Sequence, residues 1–73
     1  MRIKSLPNGF TELSISTDDT TRKYKVHHSL KGSRIWIRLD PNNKVLSYTV
    51  NGRYDVEIPD SELEEIINMC FSA

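Results

Sequence analysis

Trp36 lies between two arginines in the stretch Arg34-Ile35-Trp36-Ile37-Arg38-Leu39. Strict alternation sends Ile35, Ile37 and Leu39 to one side of a strand, and the indole and both guanidiniums to the other. The first side reads as core. The second is an unusual choice for a merely solvated face. An aromatic ring among cations can stack a planar group while the cations meet phosphates or carboxylates. It can equally be an indole packed under arginine stems. Lys23, Lys25, His27 and Arg53 are expected to join Arg34, Trp36 and Arg38 on this side as a partner-binding surface.

The remaining chemistry-bearing residues point to structure. His27 and His28 are adjacent and would face opposite sides of a strand, so they cannot grip one metal together. Cys70 falls on an apolar helical stripe, whereas a nucleophilic cysteine needs an accessible, polar setting. Asp18-Asp19 and Asp40 occur where carboxylates form turns, and Glu62, Glu64 and Glu65 read as a solvated helix face. No pair of carboxylates is spaced for acid–base work. A short chain also leaves little room for a substrate pocket. The expectation is a non-enzymatic protein with no metal and no cofactor.

The chain has 73 residues, with ten Lys/Arg against ten Asp/Glu. One small domain over residues 1–73 is expected, near the lower limit for an independent core. A core of this size supplies about 3–5 kcal/mol. The single cysteine precludes an internal disulfide. No signal peptide or membrane span is visible, and a lone thiol suits a reducing cytoplasm. Met1 reads as the start of a complete small gene product. The charges are segregated: residues 1–38 carry eight Lys/Arg against Glu12, Asp18 and Asp19, while residues 39–73 carry Lys44 and Arg53 against seven Asp/Glu. Such asymmetry marks either an anionic partner or two halves that attract each other.

These residues need a sheet to position them. Pro7-Asn8-Gly9 reads as a three-residue hairpin loop with Gly9 left-handed, pairing Lys4 with Glu12 and Ile3 with Leu13. A loop over 18–21 sets Ile15 against Tyr24 and Leu13 against Val26 in a strand over Arg22 to Ser29. A loop over 30–33 then sets Val26 against Ile37 and His27 beside Trp36. The turn Asp40-Pro41-Asn42-Asn43-Lys44 pairs Asp40 with Val45, Leu39 with Leu46, and Ile37 with Tyr48.

Asn51-Gly52 is ordinarily a two-residue hairpin loop, but that register splits the apolar set. A three-residue loop with Gly52 left-handed instead matches Leu46 to Val56 and Tyr48 to Tyr54, and is preferred on that ground. After Pro59, Asp60 or Ser61 is expected to cap a helix whose stripe is Leu63, Ile66, Ile67 and Cys70. The fold class is therefore α+β: an antiparallel meander of five or six strands with one C-terminal helix packed on one face.

The strand before Asp40-Pro41, the alternating run Leu46 to Val50, Asn51-Gly52, Tyr54, and Ile58-Pro59 leading into the Leu63/Ile66/Ile67 helix make residues 34–71 resemble the KTSC domain, a small β-β-β-α module. The resemblance implies a strand–strand–strand–helix order. An RNA-binding role has been suggested for that family. The Lys-Thr-Ser-Cys signature is absent here, where the end reads Met69-Cys70-Phe71-Ser72-Ala73, and the hairpin after Gly52 is about two residues shorter than that likeness would have it. No residue role or function is carried over.

The functional expectation is a small interaction or regulatory protein that binds a larger macromolecular partner through the basic, Trp36-containing face. The partner is an acidic protein surface or a nucleoprotein complex, with direct RNA or single-stranded DNA binding as the alternative. Dimerisation through edge strands is a further expected association.

Overall fold

The computed structural model describes residues 2–17 and 32–72. Its elements are β1 (Arg2–Ser5), β2 (Thr11–Ser16), β3 (Arg34–Leu39), β4 (Val45–Val50) and α1 (Asp60–Ser72). The strands form one antiparallel sheet in chain order. The class is α+β with one C-terminal helix, but the described sheet has four strands rather than five or six.

The core follows from the alternation in β2 and β3. Leu13 pairs with Ile37, and Ile15 with Ile35, so four branched side chains meet on one face. All four, with Leu39, are buried. Helix α1 lays Leu63, Ile66 and Cys70 into the same cluster, and Val50 and Ile58 complete it. Each such aliphatic side chain contributes about 1.5–3 kcal/mol when fully buried. With no disulfide available, this packing carries the fold. The Pro59 carbonyl accepts the Leu63 N–H at 2.9 Å, so α1 already begins at Asp60 and its cap position falls one residue before the expected Asp60 or Ser61.

The β1–β2 hairpin has the expected register, Lys4 opposite Glu12 and Ile3 opposite Leu13. Both Asn8 and Gly9 adopt positive φ in the loop. Ile3 nevertheless stays 47% exposed, because β1 is an edge strand and none of its residues is buried. Met1 lies outside the described residues.

Three register expectations are corrected. First, β2 pairs directly with β3, and β4 takes the other edge of β3. The β3 neighbours are therefore Leu13 and Tyr48 for Ile37, and Ser14 and Thr49 for Trp36, in place of the expected Val26 and His27. Residues 22–29 themselves lie outside the described residues.

Second, the β3–β4 loop is one residue shorter than expected. Asp40 N–H donates to the Lys44 carbonyl at 2.9 Å, Leu39 pairs with Val45, and Asn43 takes positive φ. Asp40 Oδ1 accepts the N–H groups of Asn42 and Lys44, each at 2.8 Å, which fixes the tighter turn. A bulge at the Arg38/Leu39 step then restores the expected pairing of Ile37 with Tyr48. Leu46 is the residue left over, and it is 56% exposed instead of joining the core.

Third, Asn51-Gly52 forms the two-residue turn. Val50 and Arg53 exchange both backbone hydrogen bonds at 3.0 Å, and φ is 54° at Asn51 and 81° at Gly52. Positive φ at both positions is the type I′ hairpin turn. Beyond the single Val50–Arg53 bridge residues 54–59 form no strand, so Tyr54 and Val56 do not pair with Tyr48 and Leu46. The strand–strand–strand–helix order implied by the KTSC likeness therefore lacks its third strand. Tyr54 is 78% exposed.

Candidate functional site

The face opposite α1 is built by the outward residues of all four strands. Trp36 stands between Ser14 on β2 and Thr49 on β4 in the cross-strand register. Both neighbours are short, so they flank the indole without capping it, and Trp36 is half-buried. Arg34 pairs with Ser16, and Arg38 lies between Glu12 and Ser47. The same register brings Arg2 opposite Ser14 and Lys4 opposite Glu12. Among the described residues this face thus carries Arg2, Lys4, Arg34 and Arg38 against the single carboxylate of Glu12.

Two features fix the frame beneath these side chains. Arg34 N–H donates to Asn51 Oδ1 at 2.9 Å, while Asn51 N–H donates to the Arg34 carbonyl at 2.8 Å. The turn thereby clamps the start of β3. At the same end, Thr17 and Ser33 are buried, and Ser33 N–H donates to Thr17 Oγ1 at 3.0 Å. The backbone that aims Arg34 and Trp36 is therefore tied on both flanks.

A shallow groove of about 240 Å³ opens beside the indole. Glu12, Trp36, Arg38, Ser47, Thr49 and Tyr54 line it. Tyr54 was assigned to the core from the sequence, and its presence here follows directly from the two-residue turn. Bridging Val50 to Arg53 puts Tyr54 at the level of Thr49, on the side of Trp36. The signal was the Asn51-Gly52 dipeptide itself.

Arg38 Nε approaches Glu12 Oε2 at 3.4 Å, and the arginine side chain stays 64% exposed. A solvent-screened pair of this length is worth at most about 1 kcal/mol. Arg38 is therefore easily recruited by another anion.

Arg53 is placed differently from the expectation. Its register partner is the core-facing Val50, and its guanidinium is held by Asp55 through Nε–Oδ1 at 3.1 Å and Nη2–Oδ2 at 2.8 Å. The hydrogen bonds and charge of Arg53 hold the Asp55 carboxyl below its ordinary range, and Asp55 raises the Arg53 pKa in return. Arg53 therefore does not join Trp36. Lys23, Lys25 and His27 lie outside the described residues, so the structure brings together Arg34, Trp36 and Arg38 of the expected set and adds Tyr54.

Cys70 is a free, buried thiol on the core side of α1, and burial pushes its pKa up. Among the described residues no cluster of three or more His, Cys, Asp or Glu could hold a metal ion. None of the described helices is long and apolar enough to cross a membrane. Comparison with known proteins finds no matching family model, no matching curated protein and no matching solved structure.

Proposed function

We propose that the protein is a small, non-catalytic interaction module whose outer sheet face binds an anionic surface of a larger protein or nucleoprotein partner. The observation that carries this reading is the groove that joins Trp36, Tyr54 and Arg38 on one cationic face. Aromatic rings and arginine are the side chains that dominate interface energetics, and short hydroxyl residues around them let a partner approach closely. Arg34, at the end of the same strand, extends the positive rim that steers an acidic partner. A lone thiol is the ground for proposing a reducing, cytoplasmic setting, and the edge strands β1 and β4 of the described sheet offer a route to dimerisation.

A second reading, direct binding of RNA or single-stranded DNA, is favoured specifically by Tyr54. Its exposed ring gives the groove a second aromatic surface, as a base-stacking platform needs. The discriminating experiment is capture of partners on the immobilised chain from lysate with and without nuclease, using wild type and Trp36→Ala. A partner that survives nuclease and is lost with Trp36→Ala supports the protein-binding reading. Loss on nuclease treatment supports the nucleic-acid reading. Capture that is indifferent to Trp36→Ala removes the outer face from both.

A further inference from the structure

Another groove, of about 730 Å³, lies between α1 and β4. On the helix it is lined by Asp60, Leu63, Glu64, Ile67, Asn68 and Phe71, residues three and four apart that form one continuous stripe. This stripe lies beside the one that builds the core. Leu63 belongs to both, but Ile67 is only half-buried and Phe71 is 47% exposed. Across the groove stand Val45, 36% exposed, and the ring of Tyr48. Val45 and Phe71, two of the exposed large hydrophobic side chains, thus line one channel together with Leu63 and the half-buried Ile67. A concave apolar strip of this kind suits a binding surface.

Charge then selects the occupant. Asp60 and Glu64 edge the groove, Glu62 and Glu65 stand on the same helix, and α1 contains no lysine or arginine. Its field repels acidic chains and attracts basic ones. The geometry points to the α1–β4 groove as a docking site for a basic amphipathic segment of a partner protein. Apolar side chains of that segment lie on Ile67 and Phe71, and its lysines or arginines meet Asp60 and Glu64. This groove shares only Tyr48 with the one beside Trp36, is of opposite charge, and does not depend on the role proposed for Trp36.

The test is selection of a random-peptide display library on the immobilised full chain, followed by anisotropy titration of the enriched peptides against variants. Phe71→Ser and Glu64→Lys change exposed positions and leave the buried cluster intact, and circular dichroism verifies that each is folded. Enriched sequences should combine apolar residues with Lys or Arg, and each variant should weaken their binding at least tenfold. Trp36→Ala should leave them bound as before. Four results would overturn the proposal: no enrichment, enrichment of acidic or purely polar sequences, affinity unchanged in both groove variants, or loss with Trp36→Ala. Concentration-dependent self-association abolished by Phe71→Ser would also overturn it, by making a second copy of the chain the occupant.

Discussion

The hydroxyl of Tyr48 accepts a hydrogen bond from the backbone N–H of Ile58 at 2.9 Å, so a β4 side chain holds the segment that leads into α1. Ile58 is buried at that point, and its N–H finds in Tyr48 the partner that an unformed fifth strand would have supplied. The return contact from the hydroxyl to the Ile58 carbonyl is long, 3.5 Å, and adds little. Tyr48→Phe keeps the ring and strands the buried donor. The expected loss is about 1–3 kcal/mol, the cost of leaving a buried polar group unsatisfied. Urea unfolding checks it: the midpoint should fall with an unchanged slope. A midpoint equal to wild type would show that Ile58 is served by another acceptor.

The two hairpin glycines should respond unequally to substitution. Gly9 and Gly52 both sit at positive φ, 84° and 81°, where alanine costs about 1–2 kcal/mol. A Cβ at Gly52 would meet nothing within 4 Å, whereas one at Gly9 would come 3.3 Å from Pro41 Cβ. Gly9→Ala is therefore expected to destabilise more than Gly52→Ala, because the Pro41 ring must give way as well. Thermal unfolding of the two variants side by side gives the ranking, and the reverse order would contradict the contact between the two loops.

These positions also show what the sequence revealed and what it did not. The alternation in Ile35, Ile37 and Leu39 has only one reading, and it placed both the core and Trp36. Pro7-Asn8-Gly9 set the first hairpin because loop length and apolar match agree there. At Asn51-Gly52 they disagreed. Matching Leu46 to Val56 favoured a longer loop, but a bulge let Leu46 out to solvent, and Ile58 reached the core through the Tyr48 hydroxyl. A bulge leaves no signature in residue types alone, so turn chemistry was the safer guide. The same choice hid Tyr54 from the candidate site. The direct β2–β3 pairing was also hidden, because Val26 and Ile37 are as good a match by type as Leu13 and Ile37.

Cys70 should be nearly inert in the native protein. Burial raises its pKa, so the thiolate that reacts is suppressed around the folded core. Alkylation by iodoacetamide at mildly alkaline pH should be slow, and should become fast in denaturant. The linkage has a definite sign. The folded thiol keeps its proton where the unfolded one has lost it, so this contribution to stability is present below the unfolded thiol's pKa and is lost as pH rises through the folded one. Rapid native-state labelling would place Cys70 at the surface.

The Arg53–Asp55 pair gives a second titration with the opposite sign. The Asp55 carboxyl is held below its ordinary range by Arg53, so its contribution is present above the unfolded carboxyl's pKa and disappears as pH falls through the folded one. The pair is fully exposed, so solvent and salt screen it. NMR titration of Asp55 should show the low pKa, and Arg53→Gln should return it toward the ordinary value. An unchanged Asp55 in that variant would mean that the pairing does not persist in solution.

Trp36 is the only tryptophan of the chain, so its emission reports directly on the face proposed to bind. The decisive measurement is that emission titrated with two probes, a Glu-rich polypeptide and a single-stranded oligoribonucleotide, at low and high salt. Wild type and Tyr54→Ala are compared after both are shown to be folded. Binding at the outer face predicts an emission change with one probe at least, an affinity that falls as salt rises, and weaker binding in Tyr54→Ala. If base stacking is the mode, the Tyr54→Ala loss should be about 1–3 kcal/mol. Emission unmoved by either probe at low salt would contradict the account, leaving Trp36 as an indole that only packs beneath its arginine neighbours.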